Sequence, residues 1–143
     1  MFLYKRLGKF TYHIIKPPEN IKPFLLKWIG KEWKQDIEEF PDQPWGREWL
    51  ELLSQMDFQL MKINLNEIIL RMNLMNYHNV SYNFAEELEQ RVMEMEESVL
   101  QGSSISPLLV NGRTMELMDG HTRYMILKKH SQVRCFAYVG FLR

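Results

Sequence analysis

Asp119, Gly120, His121, Thr122 and Arg123 follow one another where an apolar run ends and a helix-like pattern begins, and their chemistry suits an anion. At the first turn of a helix the backbone N–H groups have no helical partner and the dipole leaves partial positive charge, so an anion can accept several hydrogen bonds. Arg123 adds a planar fork of donors matched to phosphate oxygens. Gly120 lets the backbone approach a ligand closely or turn left-handed. Asp119 can hold loop N–H groups, a metal ion or a proton, and His121 can donate to a phosphate or transfer a proton. Gly120, His121, Thr122 and Arg123 are therefore candidate phosphate contacts, Asp119 and His121 candidate acid/base groups, and Asp119 the candidate metal ligand. A structural alternative stays open, in which Asp119 caps the helix, His121 is solvated and Arg123 pairs with a carboxylate.

The flanking elements must hold this junction in place. Leu108, Leu109 and Val110 form a short apolar run, Asn111-Gly112 suits a two-residue type I′ turn, and residues 114–118 return as a second strand. Tyr124 and Leu127, with Met125 and Ile126, give residues 121–130 a helical apolar face, and Lys128 and Lys129 suit the dipole at its end. Upstream, Asn83 with Glu86 three residues later reads as an N-cap, and Phe84, Leu88, Val92, Met95 and Val99 recur at helical spacing. Gly102 closes that helix of residues 84–100, and Ser103 and Ser104 follow as turn residues.

Residues 106–110, 116–124 and 127–129 together resemble the core of the ParB/sulfiredoxin superfamily. Ile63-Asn64-Leu65-Asn66-Glu67-Ile68 is similar to the opening strand of that family, and residues 86–102 are similar to its first long helix and following loop. The Asp-Gly-His-x-Arg form is the variant seen in free-serine kinases and many ParB-like proteins. The resemblance implies a nucleotide beside Ser103 and Ser104, with ATP, ADP or CTP and Mg²⁺ as cofactors. Sulfiredoxins place a cysteine in this loop, but here Gly120 and His121 occupy it and Cys135 lies on a later strand, so sulfinic acid reduction is not expected. The family's kinases carry a carboxylate shortly after the first strand, where Leu70-Arg71-Met72 fall in this chain. Glu67 and Glu116 are the nearest alternatives by sequence.

Composition narrows the remaining classes. The chain has 143 residues, 45% of them hydrophobic, enough for one domain with a substantial core. A lone cysteine makes no intrachain disulfide and no metal framework, so Cys135 reads as a core residue. No run is long and apolar enough to cross a bilayer, and Lys5, Arg6, Lys9 and His13 interrupt the beginning of the chain, which leads to the expectation of a cytoplasmic protein without a membrane partner. Formal charge is zero but uneven: residues 1–34 carry eight basic against two acidic groups, residues 35–100 four against fourteen, and residues 101–143 six against two. An acidic middle packed beside basic ends is favoured over a polyanion-binding arm.

Phe10 to Ile15 reads as a short strand or an irregular arm. Residues 21–40 read as a helix with Phe24, Trp28 and Ile29 inward, residues 40–44 as a turn-rich break, and residues 48–58 as a second helix. Trp28, Trp33, Trp45 and Trp49 read as core pieces, with a base-stacking wall as the alternative. The six glutamates at 86, 87, 89, 94, 96 and 97 read as a solvated face, and residues 133–139 as a strand covered on both sides.

The expected architecture is α+β, a ParB/sulfiredoxin-like small mixed sheet flanked by helices. Residues 1–59 form a mostly helical extension packed on it, and residues 60–143 form the nucleotide-binding domain. The expected function is nucleotide or phosphate binding at residues 119–123, with phosphotransfer to a small acceptor such as serine as the most concrete reaction. A non-catalytic nucleotide sensor or interaction module, and a DNA-associated ParB-like protein or nuclease, are the other classes. DNA is not the favoured partner.

Overall fold

Two short runs near the start of the chain pair with each other: β1 (Phe2–Leu7) and β2 (Phe10–Ile15) form an antiparallel hairpin. The computed structural model describes residues 1–39, 45–70 and 84–142. β2 buries Phe10, Tyr12 and Ile14 on one face, whereas β1 stays mostly exposed and is placed by its ladder to β2. The sequence reading had no β1, because a strand that buries little leaves a weak periodic signal.

Helices α1 (Ile21–Glu39) and α2 (Trp45–Gln55) come next, followed by β3 (Met56–Asn64). The expected helix over 48–58 ends three residues early. Residues 56–64 instead pair along their whole length with β6 (Arg134–Leu142), and that distant ladder overrides the helical spacing of Leu52, Leu53 and Met56. Past residues 71–83, α3 (Phe84–Leu100), β4 (Leu108–Asn111), β5 (Leu117–Asp119) and α4 (His121–Lys129) lead back to β6. The 40–44 break, Asn83 as N-cap and the position of Arg71 and Met72 lie outside the described residues, as do the side chains of Trp45, Trp49, Phe84, Glu86, Glu87 and Leu88.

The sheet order is β3-β6-β4-β5, antiparallel except for the parallel β6–β4 pair. The expected mixed sheet is present, with β6 inside it. Leu108 and Val110 of β4, with Cys135, Ala137 and Val139 of β6, face one core shared with Tyr124, Ile126 and Leu127 of α4 and with Val92, Met95 and Val99 of α3. Leu109, Met118 and Tyr138 face a second core with Ile21, Leu25 and Trp33 of α1, Leu53 of α2 and Met56. Helices thus cover both faces of a small mixed sheet, the α+β arrangement that the sequence led one to expect. Among the described residues no helix is long and apolar enough to cross a membrane.

Two local endings set the site. α3 stops at a left-handed Gly102 (φ 105°), whose N–H bonds the Val99 carbonyl at 2.9 Å while the Ser103 N–H bonds the Ser98 carbonyl at 3.1 Å. That is a Schellman closure, and it aims residues 103–107 back toward β2. The β4–β5 connection differs from the expected two-residue turn. Asn111 Oδ1 accepts the Arg113 N–H at 3.0 Å, Gly112 N–H continues the ladder to the Gly140 carbonyl at 2.8 Å, and the left-handed residue is Met115 (φ 62°). A side-chain turn at Asn111 and the pull of β6 outcompete a turn made by backbone alone.

Candidate functional site

Gly120 follows β5 and caps α4 in a left-handed conformation (φ 103°, ψ 31°), with no side chain of its own to bond the first helical turn. The first turn of a helix carries N–H groups that have no partner within the helix, and these are the groups an anion site uses. Helical side chains lean toward the N-terminus, so Arg123, one turn in, folds back over Gly120. A Cβ built on Gly120 would lie 2.7 Å from Arg123 Nη2 and 2.8 Å from Leu108 Cδ2. The glycine therefore serves the turn and, equally, the seating of the guanidinium.

Arg123 donates from Nη2 to Asp119 Oδ2 at 2.9 Å and from Nη1 to the carbonyls of Ser106 (3.3 Å) and Pro107 (3.1 Å). Both side chains of the ion pair are largely buried, 14% exposed for Arg123 and 29% for Asp119. These three bonds use three of the five N–H donors of a guanidinium, leaving part of the fork for a ligand. The pairing of Arg123 with a carboxylate, which the sequence left open, is what the structure contains.

The loop before β4 adds a group that the sequence reading passed over. Ile105 bridges to Tyr12, its N–H bonding the Thr11 carbonyl and its carbonyl accepting the His13 N–H, both at 2.9 Å. This stitch brings His13 between two serines: Nδ1 lies 2.8 Å from Ser104 Oγ and Nε2 2.9 Å from Ser106 Oγ. Burial, and secondarily the charge of Arg123, holds the His13 pKa below its ordinary value, so the imidazole is neutral at neutral pH. Sequence offered one usable signal, since His13 alternates with the buried Tyr12 and Ile14 and so had to face a different way.

A cavity of about 270 Å³ opens on this side of the sheet. Leu109 and Tyr138 line it from the sheet, Phe2 from β1, and Phe24, Trp28 and Glu32 from α1, while His13, Ser106, Asp119 and Arg123 supply its remaining polar groups. Trp28, expected inward, is 53% exposed and stands beside Phe24 with ring centroids 5.9 Å apart. It is a wall of the cavity rather than a core piece. Trp33 is buried at 4%.

The other sequence candidates are distributed around this cavity. Gly120, His121 and Thr122 sit beside it at the start of α4, half-buried, without lining it. Ser104 reaches the site through His13, whereas Ser103 Oγ turns to Ser98 Oγ at 2.7 Å and belongs to the end of α3. Glu67 accepts from Asn64 on an exposed turn, and neither it nor Glu116 lines the cavity. Cys135 is fully buried and its thiol is pushed up to about 12 by burial, which removes it from redox or nucleophilic work. Among the described residues no group of three or more His, Cys, Asp or Glu side chains is placed to hold a metal ion.

Comparison with known proteins adds little to this geometry. No family model matches the chain, and no curated protein matches it. Among solved structures, a Pnob8-like ParB-N domain is similar over 61% of this chain, with 18% sequence identity and a TM-score of 0.43. The chain spans 30% of the length of that protein's chain.

Proposed function

We propose that this protein binds a nucleotide in the cavity beside the Asp119–Arg123 junction, with the phosphates on Arg123 and the first turn of α4 and the base against Trp28 and Phe24. The observation that carries this reading is the Arg123 guanidinium, fixed by Asp119 and two carbonyls at the edge of an aromatic-walled cavity. A fork held in one orientation loses little entropy on meeting a phosphate, and an exposed tryptophan offers a stacking face that suits any base.

A phosphate approaching Arg123 competes with Asp119 for the same donors. The exchange would free the Asp119 carboxylate beside the phosphates, where it can accept a proton or help hold Mg²⁺, with His121 half-buried at the next position but one. The two carboxylates that line the cavity, Asp119 and Glu32, are too few for a protein-built magnesium site, so the phosphates themselves would supply most of the ligands. Such an ion would spread charge on the transferred group. These parts fit phosphotransfer to a small acceptor such as serine, the reaction implied by the sequence resemblance.

The test is a thermal-shift and calorimetry panel of ATP, ADP and CTP with Mg²⁺, repeated on Arg123→Lys, Arg123→Ala and Trp28→Ala. A nucleotide at about 100 times its Kd adds about 2.7 kcal/mol to stability, roughly 5–10 °C in melting temperature for a chain of this size. Arg123→Lys keeps the charge and loses the fork, and it should weaken binding about tenfold or more. Binding unchanged in both Arg123 variants would overturn the site, and no shift with any nucleotide would overturn the ligand class.

A further inference from the structure

His13 makes two side-chain hydrogen bonds at once, Nδ1 to Ser104 Oγ at 2.8 Å and Nε2 to Ser106 Oγ at 2.9 Å. A neutral imidazole has one donor nitrogen and one acceptor, so when Nδ1 carries the proton and donates to Ser104, Nε2 accepts from the Ser106 hydroxyl. Ser106 and His13 both line the cavity, and Arg123 lines it beside them while bonding the Ser106 carbonyl. A hydroxyl on a base, the base oriented by a third group, and a cation beside the reacting position are the parts of an activated nucleophile.

We propose that Ser106 is a nucleophile, with His13 as its general base and Ser104 as the residue that positions His13, and that Ser106 takes up a phosphoryl group from a phosphate ester or anhydride bound in the cavity. With a nucleoside triphosphate, Ser106 Oγ forms a bond to the terminal phosphorus as its proton passes to His13 Nε2. The bond from that phosphorus to the bridging oxygen breaks, and the nucleoside diphosphate leaves with the electron pair. The imidazolium then returns its proton to solvent. Arg123 stabilises the charge that develops on the transferred group. Burial of His13 and the nearby guanidinium keep the imidazole in the neutral form that can accept the proton. The choice of a nucleotide as donor rests on the binding reading above, but the serine–histidine pair does not.

The test uses the full chain and an aryl fluorophosphonate, which loses fluoride to an activated serine without needing a nucleotide. Peptide mapping should place the label on Ser106. The labelling rate should fall on the order of 10²-fold in His13→Gln, a variant checked for folding by circular dichroism and melting. It should rise with pH through a midpoint below the ordinary imidazole value of 6.5 in the wild type. Ser104→Ala should retain labelling but shift that pH midpoint, as expected of a positioning residue. With ATP and Mg²⁺, the wild type should gain the mass of one phosphoryl group at Ser106. No fluorophosphonate on Ser106, or equal rates in a folded His13→Gln, overturns the proposal. Nucleotide binding by calorimetry without phosphoryl uptake at Ser106 also overturns it and leaves the binding reading standing. Labelling at Ser106 with no nucleotide bound would support the nucleophile and sink the nucleotide.

Discussion

Gly120 and Arg123 act as one unit, since the guanidinium occupies the space a Cβ would need. Gly120→Ala should cost on the order of 1–3 kcal/mol, from the left-handed backbone together with the displaced fork, and should weaken nucleotide binding in the same calorimetric assay. Gly102→Ala is the matched control. Its φ is nearly the same at 105°, but a Cβ there meets nothing within 4 Å, so only about 1 kcal/mol of backbone strain and no loss of binding are expected. His13 has a pH signature. Its pKa is lowered in the fold, so the unfolded chain binds more protons, and the stability it contributes is present above its ordinary 6.5 and lost as pH falls through the folded value. Chemical denaturation across that window should show a shallower pH slope in His13→Gln, and an unchanged slope would contradict the burial. At this scale the pairing of Arg123 with a carboxylate was legible as one of the open readings, because it is carried by residue type and spacing. The partnership of His13 with Ser104 and Ser106 was not, since those positions are about ninety residues apart and meet only through the Tyr12–Ile105 bridge.

The elements that carry the site are held to one another by polar as well as apolar contacts. Glu96 on α3 bonds Lys129 at 2.9 Å and His130 at 2.7 Å, just past the end of α4, so one glutamate of the acidic helix ties two helices instead of facing solvent. The bonds from Lys129, then from His130, hold its carboxyl below the usual 4.5. A depressed carboxylate contributes above its unfolded pKa and loses that contribution as pH falls. The melting temperature of the wild type should therefore drop more steeply on acidification below about pH 5 than that of Glu96→Gln, and parallel curves would show the bridge to be idle. The helices over 84–100 and 121–129 were readable because their signals lie within one stretch of chain, apolar spacing ending at Gly102 in the first and apolar spacing ending in Lys128 and Lys129 in the second. β3 was not, because residues 56–64 become a strand by pairing with residues 134–142, a partner that local pattern does not contain.

The whole molecule encloses its cavity between the sheet and the N-terminal elements, with Phe2, Phe24, Trp28 and Glu32 on one side and Leu109, Asp119, Arg123 and Tyr138 on the other. We propose that the N-terminal helices fold together with the sheet as one cooperative unit. Leu53→Ala, at a fully buried α2 position in the second core, should then lower stability by about 2–5 kcal/mol and keep a single melting transition. A two-step melt in which only the first step moves would show a separate N-terminal unit. By itself the sequence determined that a strand turns into a helix at residues 119–123 and that two helices and a hairpin flank that junction. Those properties follow from residue type, spacing and local conformational preference, which act within a few turns of chain. Only the tertiary structure decided that Arg123 is locked to Asp119, that Trp28 faces a cavity instead of a core, and that His13 lies between two serines. Each of these depends on which distant surfaces the cores bring together, and burial of apolar area is non-directional, so it drives that approach without writing its outcome into any local pattern.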